Sequence, residues 1–146
     1  MIQNERQYKI TQTKLREFER DLLNLDPHDP NLHPRQVVGR INSYNLTISE
    51  LRQEIEEYEQ LKSGSVLTFA LASIDDLPTT LIKARIATGM TQKDLAEKIG
   101  VQEQQIQRYE ASHYASASFD RLRAIAGALK IDITDSVMQF EVQPKF

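Results

Sequence analysis

Gln102, Glu103, Gln104, Gln107 and Arg108 crowd side chains with flat, forked hydrogen-bonding ends into one short stretch. An amide offers a donor and an acceptor side by side, a guanidinium offers a donor fork, and a carboxylate only accepts. Such groups match the polar edges of nucleobases: Gln bonds adenine at two points, Arg forks onto guanine, and Glu accepts from the cytosine amino group. A run of Gln and Glu on a short helix is more often only a solvated face, so the surrounding elements decide between the two. Other chemistry finds little footing. No nucleophile–base pair, phosphate-cradling glycine loop or catalytic carboxylate set stands out, and no enzymatic activity is expected. His28, His33 and His113 lack metal-ligand spacing and the chain has no cysteine, so neither a metal nor a cofactor is expected.

These residues must be held by helices. Leu95, Ala96 and Ile99 give the stretch after Thr91 an apolar face, with the small Ala96 where two helix backbones would approach closely. Thr91-Gln92-Lys93-Asp94 reads as a capping box with Asp in the place of Glu. Gly100 ends that helix, and Val101 and Ile106 fill the joint to a second helix over Gln102–Glu110. Two short helices joined by a tight glycine-containing turn make a helix-turn-helix unit. Upstream, Pro78 suits the first turn of a helix that Gly89 ends. Downstream, Ala111–Ala117 is a loop, and Ser118 caps a helix with Phe119, Leu122, Ile125, Ala126 and Leu129 on its core face. Ile131–Phe146 is open to either a helix or an extended tail.

The amino-terminal part reads differently. Tyr8, Leu15, Phe18, Leu22 and Leu25 fall at heptad spacing, with Thr11 at the one missing position. Val37, Ile41, Tyr44, Ile48, Leu51, Ile55 and Tyr58 repeat at alternating steps of four and three, a coiled-coil-like seam. Between these stripes lie Pro27, Pro30 and Pro34, which cannot sit inside a helix. The two long helices therefore fold back as a hairpin over residues 1–62, and leave seam surface for self-association or a partner. Residues 63–76 form a linker, with Val66–Ile74 as a connecting helix, and residues 77–146 form the compact domain and its tail. The expected fold is all-α: a long helical hairpin followed by a four- to five-helix domain.

The run Leu81-Ile-Lys-Ala-Arg85-Ile-Ala-Thr-Gly89-Met-Thr91-Gln92-Lys-Asp-Leu95-Ala96-Glu-Lys-Ile99-Gly100-Val101, then Ile106-Gln-Arg108-Tyr-Glu110, resembles the Cro/C1-type (Xre-family) helix-turn-helix regulators. Ser118-Phe119 and the apolar positions after them continue the resemblance, which spans roughly residues 77–133. It implies a lambda-repressor-like domain that binds a double-stranded DNA operator, usually as a homodimer on a two-fold symmetric site. It implies that Gln92 contacts phosphate and that Gln102, Glu103, Gln104 and Arg108 face the major groove, with Gln107 exposed beside them. Arg85 and Glu110 stand where the family places a structural ion pair. Ser112 replaces a common glycine, and with His113 and Tyr114 offers groups that could donate to phosphate. Some members are antitoxins that bind a toxin and repress their own operon. A protein-interaction role for the hairpin, or a plain dimerisation strut, stays open beside the transcriptional reading.

Charge supports a local interface. The whole chain carries −3. Between Pro78 and Ile131, eight basic side chains stand against five acidic ones, a net +3, while the rest has ten against sixteen, a net −6. The field that meets a phosphate is confined to about a Debye length, ~8–10 Å, so a basic module on an acidic chain can still bind. No basic region followed by an apolar run opens the sequence, and the longest apolar stretch, Val66–Ala72, is too short for a bilayer. A cytoplasmic protein without membrane association is expected.

Overall fold

The computed structural model describes residues 1–134, 137–139 and 141. It is all-helical among these residues. Six helices follow in chain order: α1 (Glu5–Leu23), α2 (Pro34–Lys62), α3 (Leu77–Ala87), α4 (Gln92–Ile99), α5 (Glu103–Ala111) and α6 (Phe119–Ala128). Of the carboxy-terminal stretch from Ile131, the described residues form no helix or strand, and the others lie outside the described residues.

Helices α1 and α2 run antiparallel. Near the open end Tyr8 packs on Tyr58, ring centroids 5.1 Å apart, and towards the turn Phe18 meets Tyr44 at 5.7 Å. Arg52 pairs with Glu19 at 2.5 Å between them. The turn is built from its polar residues. Asp26 Oδ1 accepts from the His28 amide at 2.8 Å, and Asp29 Oδ1 accepts from Asn31 at 2.9 Å. His33 then caps α2, its Nδ1 accepting from the Arg35 amide while Gln36 Oε1 accepts from its own, and Pro34 fills the first turn. Two helices cannot enclose a seam by themselves. None of α1 is fully buried, and Ile10, Leu23, Val38 and Leu46 remain exposed.

One buried cluster crosses from the hairpin into the downstream helices. Ile2, Tyr58 and Leu61 join Leu81, Ile82, Ile86, Leu95, Ala96, Ile106, Ile125 and Leu129. Helix α3 lies at its centre, with Leu81, Ile82, Arg85 and Ile86 all buried. The boundary at residue 62 therefore marks the end of a helix, whereas the core continues through it.

The connection corrects one expectation. Val66–Ile74 is not a helix: it runs without regular structure until a short 3-10 turn at Ile74–Asp76. β-branched Val66 and Thr68 favour extended backbone, and only Val66 and Phe69 find core to pack on. Ser73 and Asp76 then close the turn, Asp76 Oδ2 accepting from the amides of Ala72 and Ser73 at 2.9 Å each.

A second correction concerns α6. Phe119 is 72% exposed rather than on the core face. Ser118 is the cap, accepting from the Arg121 amide at 3.2 Å, which leaves Phe119 on the outermost turn. Leu122, Ile125, Ala126 and Leu129 carry the packing.

Candidate nucleic-acid interface

Helix α4 starts at a complete capping box: Thr91 Oγ1 accepts from the Asp94 amide at 3.0 Å, and Asp94 Oδ2 accepts from the Thr91 amide at 2.9 Å. These bonds hold the Asp94 carboxyl below its ordinary range, the backbone donor of Thr91 first and its hydroxyl second. The helix ends at Gly100, whose φ of +73° is the left-handed conformation that glycine adopts without a Cβ penalty. The Val101 amide bonds back to Ala96 at 3.0 Å, and α5 leaves after Gln102. Leu95, Ala96 and Ile106 are buried in the angle between the helices.

This packing fixes which face α5 presents. Ile106, Tyr109 and Glu110 point inward, while Gln102, Glu103, Gln104, Gln107 and Arg108 are all exposed. Gln102 precedes the helix without making a side-chain cap. Glu103 and Gln107, one turn apart, touch at 3.3 Å. The five planar polar groups named from the sequence are thus all exposed, on or just before a helix whose inner face is buried. Ser112 and His113 are exposed beyond its end, but the Ser112 hydroxyl donates back to the Arg108 carbonyl at 3.0 Å.

Two expected site residues lie elsewhere. Tyr114 is buried, stacked on Tyr109 at 6.0 Å, so its hydroxyl is not a surface donor. Its backbone explains this: the amides of His113 and Tyr114 close α5 on the carbonyls of Glu110 and Tyr109, turning the ring inward. Gln92 is only 4% exposed. Its Nε2 donates to Glu110 Oε2 at 2.7 Å and its Oε1 accepts from Asn4 Nδ2 at 3.0 Å. In this conformation it is a member of an internal network and not a surface phosphate ligand.

That network is centred on the Arg85–Glu110 pair, buried on both sides. The guanidinium donates to both carboxylate oxygens, at 2.5 and 2.8 Å, and to the carbonyls of Met90 and Gln3 at 2.8 and 2.6 Å. Gln3 returns a bond from Nε2 to the Glu110 carbonyl at 3.1 Å. A buried ion pair is tolerable only when its remaining valences are met like this. No pattern in the sequence marks the contacts of Gln3 and Asn4. Asn4 with Gln7 signals only a helix start, which α1 uses, and gives no sign of a contact 88 residues away.

Residues 81–136 match a family model described as helix-turn-helix. This segment is similar to the helix-turn-helix domains of Cro/C1-type regulators. No curated protein and no solved structure matches the chain. Domains of this family are of the DNA-binding regulatory kind; here α4 packs on α5, whose residues Gln102, Glu103, Gln104, Gln107 and Arg108 are left exposed. Among the described residues no group of acidic or histidine side chains could hold a metal, and no helix is long and apolar enough to cross a membrane.

Proposed function

We propose that the chain is a sequence-specific transcriptional regulator, a repressor in the manner of the regulators it resembles, that places α5 in the major groove of operator DNA. The observation that carries this reading is the joint exposure of Gln102, Glu103, Gln104, Gln107 and Arg108 along α5, set on a buried scaffold. Gln104 and Arg108 lie one helical turn apart, so both can reach base edges from one groove. Ser112 and His113, just beyond the helix, are placed to meet the flanking phosphates. The exposed apolar residues of the hairpin, Leu23, Val38 and Leu46 among them, suit a two-fold dimer.

The test is selection of duplexes from a random library, followed by titration of the selected sequence at fixed salt. Gln104→Ala with Arg108→Ala removes two base contacts, each worth about 1–3 kcal/mol. The double variant loses sequence selection while its helix content by circular dichroism stays that of the parent. If it still selects the same sequence, α5 is not the reading element.

The same hairpin surface supports a second reading, an antitoxin whose residues 1–62 hold a partner toxin while α5 binds the operon. A separate protein that copurifies through the hairpin and is lost on Leu46→Glu favours it. A homodimer without such a partner favours the first.

A further inference from the structure

The outer face of α2 has a composition that its place in the monomer does not explain. Val37 and Ile48 are buried on the seam side. On the far side Arg35, Val38, Asn42, Leu46 and Ser49 follow at steps of three and four, and so form one stripe along the helix. All five are exposed, Val38 at 56% and Leu46 at 62%. The solvent face of a helix is ordinarily charged. Glu50–Lys62 of the same helix follows that rule, with seven charged side chains among its thirteen residues, whereas Ile41–Ser49 has none.

Gly39 is a second anomaly. Glycine inside an exposed helix weakens it relative to alanine, and suits a place where another group must come close to the backbone. No group of the monomer does so: among the described residues, a Cβ on Gly39 meets no atom within 4 Å.

The stripe is complementary to itself. About Asn42, Val38 and Leu46 lie four residues to either side, and Arg35 and Ser49 seven. Two α2 helices laid antiparallel across a two-fold axis at Asn42 therefore set Val38 of one copy level with Leu46 of the other. At ~100° per residue Gly39 and Leu46 lean to the same side of the stripe, so Leu46 of one copy comes down on the bare backbone at Gly39 of the other. The two Asn42 amides meet on the axis, each with a donor and an acceptor for the other. Arg35 comes level with Ser49 and Glu50 of the second copy, next to an opposite charge. A parallel pair instead sets Arg35 on Arg35 and Glu50 on Glu50. The uncharged middle of the stripe also has nothing to steer a strongly acidic or basic partner.

We propose that the outer face of α2, from Arg35 to Glu50, is the interface with a second copy of the chain, packed antiparallel about Asn42 with Leu46 seated over Gly39. This rests on the reading that the hairpin carries a two-fold dimer, and gives that dimer its helix, face and direction. One helix pair over about four turns is at the small end of specific interfaces, so the dimer dissociates on dilution.

The chain has no cysteine, so each introduced thiol is its only one. Full-length Asn42→Cys forms a disulfide-linked dimer under mild oxidation, because two residues on the axis come within bonding reach. Val38→Cys and Leu46→Cys link slowly when each is alone, and an equimolar mixture links several-fold faster. Gly39→Leu fills the seat. Sedimentation over a concentration series shows its dimerisation weakened about tenfold or more, while its thermal midpoint when dilute is no lower than the parent's, since leucine is the better helix former. Val38→Cys and Leu46→Cys linking as readily alone as mixed, or Gly39→Leu dimerising like the parent, overturns the antiparallel packing and leaves the hairpin dimer standing. A parent chain that stays monomeric at every concentration overturns the dimer reading, and this interface with it.

Discussion

The hydroxyl of Tyr114 is a buried donor that meets no hydrogen-bond partner among the described residues. Its residue also lies in the left-handed region, φ +57°, next to His113 at +49°. Arg85 and Glu110 show the opposite solution nearby, with nearly every valence met. An unsatisfied buried polar group costs on the order of 1–3 kcal/mol, so Tyr114→Phe is expected to stabilise the fold by about 1 kcal/mol. The ring keeps its stack on Tyr109. Burial pushes the Tyr114 hydroxyl well above the ordinary tyrosine range, with the Glu110 carboxylate adding to the shift. The pH dependence follows in sign. Above about pH 10 the unfolded chain releases this proton and the folded one keeps it, so the unfolded state binds fewer protons and stability falls as pH rises. Below that range the contribution is complete. Chemical denaturation from pH 8 to 11 should show the parent losing stability faster than Tyr114→Phe; parallel profiles would mean that the hydroxyl is solvated.

At the scale of elements, α3 to α6 all end in the same manner. In each, the amide just past the helix bonds three residues back and the next amide bonds five residues back: Gly89 and Met90, Gly100 and Val101, His113 and Tyr114, Lys130 and Ile131. This termination requires a left-handed residue. Two helices use glycine; α6 uses Lys130 at φ +52°. Left-handed backbone costs an L-residue roughly 1–2 kcal/mol, partly offset because glycine loses more entropy on folding. Lys130→Gly is therefore expected to stabilise by about 0.5–1 kcal/mol and raise Tm by about 2 °C. An unchanged or lower Tm in a thermal scan counts against the cap. The same comparison shows what the sequence made legible. Thr91 with Asp94, Ser118, Gly89 and Gly100 are local signals, each acting within one or two helical turns, and they located α3 to α6 and the exposed face of α5. The caps on His113 and Lys130 put non-glycine residues in left-handed backbone, which no local pattern marks. Val66–Ile74 is helix-permissive by composition, but its conformation is set by which of its side chains meets the core. The Gln3 and Asn4 contacts join residues far apart in sequence, and polar pairs leave no periodicity to read.

Over the whole molecule, stability should be graded along the hairpin. Its open end shares a core with the helix-turn-helix domain through Ile2, Tyr58 and Leu61. Towards the turn only α1 and α2 cover each other, with Leu23, Val38 and Leu46 left in solvent. An isolated pair of helices gains little from propensity alone and depends on packed surface. Amide hydrogen exchange in dilute protein is therefore expected to show two classes. Amides of Ile55–Leu61 share the protection of α3 and α4 and exchange only on global unfolding, whereas those of Arg16–Leu23 and Val38–Asn45 exchange through a smaller opening. Uniform protection along α2 at the lowest concentration would show that the hairpin is rigid without help. Concentration then separates the roles left to this surface. If a second copy covers it, protection near the turn rises with protein concentration while that of α3 and α4 does not, because association stabilises only the state that can bind. If the hairpin waits for a different protein, both classes stay constant until that partner is added. The result bears on α5 as well. The acidic hairpin and the locally basic helix-turn-helix domain belong to one packed body, so an event on the hairpin can reach α5 through the shared core.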